Sequence, residues 1–316
     1  AMPRILTLTM NPALDVSTSI AKVVPAHKLR CAASIQHPGG GGVNVARVLQ
    51  RLGCDCQALY LAGGANGQVL RRLLDGEQLR QQVIDISAET RESFSVHETS
   101  SGMDYRFVLP GPTVQRHEWE ACLAYIAALD APPRYLVASG GLPPGVPTDF
   151  YARVARLAGE RGTRLILDTS GPALAAALAE GVYLFKPSLR ELRGLSGLPL
   201  TTEAEWREAS RQIVQAGRAH IVVLSLGEEG ALLVSADCVL RSQGLHVQVA
   251  STIGAGDSLV AGLVWALDQG HALEEALRCG MAAGAAALLS AGTALCDPAD
   301  VRRLREEVVI TIDAKS

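Results

Sequence analysis

Short apolar runs alternate along the chain with segments whose apolar residues recur every three to four positions. Residues 4–9 read as a strand, and 43–52 carries Val45, Val48, Leu49 and Leu52 on one face of a helix. A strand at 57–61 is followed by Gly63-Gly64 and a helix from about residue 68. The pattern then predicts strand 135–139, helix 149–162, strand 164–168, helix 173–181, strand 182–185, helices 189–196 and 203–217, and strand 221–225. A β-α unit repeated in this way implies a mainly parallel sheet with helices on both faces, a three-layer α/β/α architecture.

Two stretches break the rhythm. Residues 16–37 have no helical period, and 94–109 alternate like a hairpin with Ser100-Ser101-Gly102 at its turn. Both read as strands of a small accessory sheet over the main one. From Asp257 onward the chain is helix-rich, and no repeat or flexible linker interrupts it. The simplest partition is one α/β domain over residues 1–316, with a small β-sheet lid whose strands fall within about 15–37 and 92–110.

Composition narrows the function classes. The 316 residues are 48% hydrophobic and 19% charged, which is globular rather than disordered. Net charge is -3, from 29 basic and 32 acidic side chains, and no basic stripe stands out. Nucleic acid is therefore not an expected partner, and an anionic ligand must be held by local charges. Lysine occurs only at Lys22, Lys28, Lys186 and Lys315. The seven cysteines include no Cys-x-x-Cys pair and no zinc spacing, as expected of reduced thiols in a cytoplasmic protein. The start at Met2-Pro3-Arg4-Ile5-Leu6 lacks a leader pattern. The apolar run at 281–289 is far shorter than the roughly 20 residues a membrane helix needs, so no membrane association is expected.

Two glycine clusters carry the chemistry. Pro38-Gly39-Gly40-Gly41-Gly42-Val43-Asn44 opens a helical segment, where missing Cβ atoms let a ligand approach backbone N–H groups. A flexible turn explains that run equally well when it is taken alone. Thr252-Ile253-Gly254-Ala255-Gly256-Asp257-Ser258-Leu259 precedes an apolar helical run. There Asp257 is either a helix cap or a base set beside a nest of amides that holds a transferring phosphoryl group. Neither cluster is Gly-x4-Gly-Lys-Ser/Thr or Gly-x-Gly-x-x-Gly, which argues against a P-loop enzyme and a dinucleotide fold.

Taken together and in this order, the clusters resemble those of the ribokinase-like (PfkB-type) sugar kinases. The resemblance covers nearly the whole chain. It includes Thr9-Met10-Asn11-Pro12-Ala13-Leu14-Asp15, Ser139-Gly140-Gly141-Leu142-Pro143-Pro144-Gly145, Lys186-Pro187-Ser188-Leu189-Arg190-Glu191 and Ser225-Leu226-Gly227-Glu228-Glu229-Gly230. Within the family the chain is most similar to the ATP-dependent 6-phosphofructokinase branch. Lys28-Leu29-Arg30-Cys31, the four-glycine run and Tyr105-Arg106-Phe107-Val108-Leu109-Pro110-Gly111 carry that similarity. The tagatose-6-phosphate kinase and 1-phosphofructokinase branches usually have lysine where Gly41 stands.

The resemblance implies a ribokinase-like fold and transfer of phosphate from ATP to the 1-hydroxyl of fructose 6-phosphate. It implies that Asp257 is the base and that Gly254, Ala255 and Gly256 form an anion hole. Asp15, Gly40, Gly41, Asn44 and Ser139 would hold the ketohexose, with Lys28 and Arg91 as cations for its phosphate. Lys186, Ser188, Ser225, Gly227 and Gly230 would hold the nucleotide, and Glu191 would organise Mg²⁺ through water. A K⁺ ion near the second glycine loop and a homodimer through the lid are also implied. Two departures stand out: Ser188 replaces the family's usual asparagine three residues before Glu191, and Gly141 replaces a serine. Tagatose-6-phosphate kinase and 1-phosphofructokinase remain alternatives, as does a non-catalytic sugar-phosphate binder.

Overall fold

The computed structural model describes residues 3–314; Ala1, Met2, Lys315 and Ser316 lie outside them. The first third of the chain runs β1 (Ile5–Thr9), β2 (Ala13–Ile20), β3 (Ile35–Gly39), α1 (Gly41–Arg51), β4 (Cys56–Ala62), α2 (Gly64–Gly76), β5 (Gln81–Asp85), β6 (Arg91–Glu98) and β7 (Met103–Val108). Next come α3 (Arg116–Ala128), β8 (Tyr135–Ser139), α4 (Phe150–Glu160), β9 (Arg164–Asp168), α5 (Gly171–Glu180), β10 (Val182–Phe185), α6 (Leu189–Ser196) and α7 (Glu203–Gln215). The last part holds β11 (Ala219–Ser225), β12 (Ala231–Ser235), β13 (Cys238–Ser242), α8 (Ala255–Asp268), α9 (Leu273–Leu288), α10 (Pro298–Arg305) and β14 (Ile310–Ala314).

Ten strands form one sheet in the order β14-β13-β12-β11-β10-β9-β8-β1-β4-β5. Pairing is parallel from β5 through to β11 and antiparallel beyond it. The central parallel strands are largely apolar because both of their faces are covered, while the edge strand β5 is more polar. In β8, Tyr135 and Val137 enter one core with α1, α8 and α9, while Leu136 and Ala138 enter the other with α3, α4 and α5. In β1, Ile5 joins the first core, and Leu6 and Leu8 the second.

The expected accessory sheet is present as β3-β2-β6-β7. Its hairpin pairs Phe94 with Phe107, and the turn spans 99–102. Between β2 and β3 the chain makes an irregular excursion over 21–34.

Three local features differ from the sequence pattern. The first glycine run is not a loop ahead of the helix; α1 begins inside it, at Gly41. The helix expected from about 68 begins at Gly64. Helix α3 was not foreseen, because Glu118 interrupts its apolar face. That carboxylate is nevertheless buried, accepting from the Gln115 and Ser87 amides at 2.8 Å each. No helix among the described residues is long and apolar enough to cross a membrane.

Candidate active site

After β1 the chain builds β4 and β5 on one side, then returns to place β8 on the other. Ligands of parallel sheets bind at such switch points, beyond the carboxyl ends of the strands. Here a cleft of about 1090 Å³ opens there, lined among others by Asp15, Asn44, Ser139, Asp168, Glu191 and Asp257. Gly40, Gly41, Arg91 and Ser188 also line it. Nine of the residues singled out in the sequence thus come together, from segments up to 242 positions apart (257 − 15).

Asp257 sits in the first turn of α8, after Gly254 adopts a left-handed conformation (φ 82°) that suits glycine. A helix start leaves its first amides without intrahelical partners, and here these belong to Ala255, Gly256 and Asp257. Burial and the neighbouring charge of Asp168 push the Asp257 carboxyl up to about 6. A hydrogen bond from Asn44 Nδ2 (3.0 Å), Lys186 and Arg106 pull against that rise. At neutral pH the group is ionised yet far more basic than an ordinary aspartate.

Lys186 is 8% exposed, and its Nζ lies 3.5 Å from Asp168 Oδ2. Burial pulls its ammonium down, but Asp168, Asp257 and Glu191 more than offset this and hold it above its ordinary value. The ammonium lies against the first turn of α8 beside Gly256, where even an added Cβ would stand in ordinary contact, 3.5 Å from Nζ. A cation, a helix start and a raised carboxylate therefore converge on one end of the cleft.

The other end is built on the small sheet. Asp15 on β2 accepts a hydrogen bond from Thr293 Oγ1 at 3.2 Å. Burial raises its carboxyl, while Arg106, the Thr293 bond and Arg91 act against that. Arg91 is fixed by donating from Nη2 to the Asn11 carbonyl at 3.0 Å. Side chains of the small sheet alternate: Asp15, Ser95 and Arg106 share the face toward the cleft, and Val16, Phe94, Tyr105 and Phe107 point the other way. A side chain at Gly41 would run into Ser139 Oγ, so this glycine lets the start of α1 touch the end of β8.

Some predicted residues lie elsewhere. Lys28 is exposed in the 21–34 excursion and does not line the cleft. Ser225 ends β11, and its amide donates to the Pro187 carbonyl at 2.9 Å, bracing the segment that carries Lys186 and Ser188. Gly227 and Gly230 form the turn beyond it. A Cβ on Gly230 would meet the Ser242 carbonyl, so packing accounts for that glycine. Ser188 and Glu191 cap α6 reciprocally: Glu191 N donates to Ser188 Oγ (3.1 Å) and Ser188 N to Glu191 Oε1 (3.0 Å). Oε2 of Glu191 takes no part in that cap.

Two cleft residues escaped the sequence reading. Arg106 is the one cation of the hairpin strand 103–108, and its alternation with Tyr105 and Phe107 was the available signal. Asp168 closes the predicted strand 164–168, and an acid at the carboxyl end of a parallel strand is itself a signal. Among the described residues no group of three or more His, Cys, Asp or Glu could hold a metal by itself. The oxygens of Asp168 and Glu191 fit Mg²⁺ that keeps most of its other ligands as water and phosphate.

This geometry meets its relatives in sequence. The chain is 47% identical over 304 residues to the ATP-dependent 6-phosphofructokinase isozyme 2 of Mycobacterium tuberculosis, covering 96% of this chain and 89% of that one. It is 40% identical to the isozyme 2 of Escherichia coli, covering 96% and 98%. The crystal structure of E. coli phosphofructokinase-2 in complex with fructose-6-phosphate superposes with a TM-score of 0.91 at 39% identity, covering 97% and 99%. That enzyme is also known in complex with potassium and in a tetrameric inhibited form. The pfkB family of carbohydrate kinases matches residues 9–300, and with the ribokinase-like fold and these relatives the chain belongs to that family, whose members transfer phosphate to a hydroxyl group.

Proposed function

We propose that the protein is an ATP-dependent 6-phosphofructokinase. Fructose 6-phosphate presents its 1-hydroxyl to Asp257. Its O1 bonds to the γ-phosphorus of ATP as the bond to the β-phosphate oxygen breaks, ADP leaves, and the hydroxyl proton passes to the Asp257 carboxylate and on to water. The observation that carries this reading is the position of Asp257, an unusually basic carboxylate beside free helix amides and Lys186. Phosphoryl transfer needs positioning and dispersal of charge over three oxygens, and this end of the cleft supplies both.

The remaining roles follow from placement. Asp15, Asn44, Ser139 and the backbone at Gly40 and Gly41 hold the sugar. Arg91 and Arg106 supply the cationic charge within the cleft for the 6-phosphate, with Lys28 outside it. Lys186 takes the transferring phosphoryl, Ser188 and Ser225 frame the nucleotide side, and the Gly227–Gly230 turn closes it. Glu191 and Asp168 would hold the Mg²⁺ that comes with ATP, and the ion would supply charge neutralisation for the phosphates.

Gly41 favours fructose 6-phosphate as the acceptor. A lysine there, as in the 1-phosphofructokinase and tagatose-6-phosphate kinase branches, would drive its Cβ into Ser139. Among fructose 6-phosphate, tagatose 6-phosphate and fructose 1-phosphate with MgATP, the first is expected to have the highest kcat/KM by about tenfold or more. A higher value for either of the others overturns the choice of acceptor. Fructose 6-phosphate binding without ADP formation overturns the kinase reading altogether. The same assay in KCl against NaCl tests the potassium requirement.

We infer that the small sheet acts as the lid and that a homodimer forms through its outer face. Phe94, Tyr105 and Phe107 are 38%, 40% and 55% exposed on that face. A cluster of this kind marks an interaction site. Phe107→Asp is expected to convert a dimer into a monomer by sedimentation. A wild type that sediments as a monomer at micromolar concentration would rule out the dimer.

A further inference from the structure

Arg47 lies outside the cleft and touches no candidate ligand, yet it is 2% exposed and held on every side. Its Nε pairs with Glu77 Oε2 at 2.7 Å. Its Nη1 donates to the Thr293 carbonyl at 2.8 Å, the Pro38 carbonyl at 3.2 Å and, longest of the three, Asn44 Oδ1 at 3.5 Å. Arg51, one turn on, reinforces this by pairing with Glu77 Oε1 (2.9 Å) and donating to the Ala294 carbonyl (2.6 Å).

Two of the acceptors of Arg47, Asn44 and Thr293, belong to the residues that hold the two carboxylates of the site. Asn44 donates to Asp257 through Nδ2, and it can do so only while its Oδ1 points the opposite way. Arg47 is the donor on that opposite side. Thr293 donates its hydroxyl to Asp15, and Arg47 holds the backbone of the same residue. We propose that Arg47 is a positioning residue for both ends of the cleft, fixing Asn44 against Asp257 and Thr293 against Asp15.

A rigid planar guanidinium serves this role, and a lysine ammonium cannot span the same acceptors. The alternative is that Arg47 only glues α1 to the loop after α9. The two differ in what happens to Asp257. The charged and polar groups facing that carboxylate are Asp168 at the end of β9, Lys186 after β10, Arg106 on β7 and Asn44 on α1. Only Asn44 depends on Arg47 for its orientation. Losing the Asn44 bond removes an interaction that favours the ionised form, so the acid limb of the pH–rate profile moves to higher pH.

The proposal rests on the kinase reading above, so wild type is assayed first with fructose 6-phosphate and MgATP. No turnover defeats that reading. The Asp257 carboxyl is then titrated by infrared difference against Asp257→Asn, in wild type and in Arg47→Lys, and the same upward shift is required. With an active wild type, Arg47→Lys is expected to raise KM for the sugar phosphate about tenfold and to move the acid limb of kcat up by about half a pH unit or more. Thr293→Val raises KM while leaving the acid limb where it was. Glu77→Gln, which keeps a hydrogen-bond acceptor for Arg47, moves both readouts the same way but less. A lower melting temperature for Arg47→Lys, with KM within twofold and the acid limb within about 0.2 pH units of wild type, assigns Arg47 a purely structural part and overturns the proposal. If Arg47→Lys does not fold, Glu77→Gln is judged by the same criterion.

Discussion

Asp257→Asn is expected to lower kcat by about 10²–10⁴-fold, the usual range for a general base, with KM for fructose 6-phosphate changed less than threefold. The substitution keeps the size of the side chain and an oxygen that can still accept from Asn44, so the sugar site stays intact. What it removes is the proton acceptor. Wild-type kcat should fall as pH drops through about 6, because protonation of Asp257 does what the substitution does. The variant's residual rate should show no such limb.

Stability separates a dead site from a damaged fold. A carboxyl raised above its ordinary 3.8 binds its proton more tightly in the folded than in the unfolded chain. Its ionised form therefore costs stability fully above about pH 6, and this cost disappears below the unfolded value. Removing the charge should raise stability at pH 7, on the order of 1–3 kcal/mol, and leave it unchanged near pH 3. A variant that loses activity and also melts lower at pH 7 argues against this assignment, as does near-normal turnover.

The parallel core was legible in the sequence because its strands are buried on both faces and read as unbroken apolar runs, as in 135–139 and 182–185. Asp257 was legible because two glycines just before an acid, ahead of an apolar helix, make either a helix cap or an anion-holding nest, and the other glycine cluster at 39–42 favoured the nest. Lys186 was located by resemblance, but its surroundings were not, since Asp168 stands 18 positions away (186 − 168) on another strand end. Arg106 was hidden for a related reason: its strand belongs to the small sheet, and only the pairing of β6 with β7 sets which side of that sheet it takes. The capping role of Ser188 and Glu191 follows from the serine itself, which reaches the α6 amide directly.

Lys186→Met is expected to lower kcat/KM by about 10²–10³-fold at pH 7, through two effects that pH can separate. The first is loss of the cation beside the transferring phosphoryl, which lowers the rate at every pH. The second acts on the base. Lys186 favours the ionised form of Asp257, so without it the carboxyl climbs further and the acid limb moves above about 6. Rates at pH 6.5 should suffer more than rates at pH 8. Asp168→Asn provides the opposite sign: the charge of Asp168 raises Asp257, so removing it moves the acid limb down, even though the same substitution takes a partner from Lys186. Methionine in place of Lys186 also leaves Asp168, Asp257 and Glu191 facing one another without a cation. Breaking a buried pair in this way costs about 3–5 kcal/mol, less whatever protonation of Asp257 recovers, so the variant should be least stable at alkaline pH and regain stability as pH falls. A Lys186→Met enzyme whose acid limb coincides with wild type would show that the ammonium does not act on Asp257, and the convergence of cation, helix start and base would lose its chemical meaning.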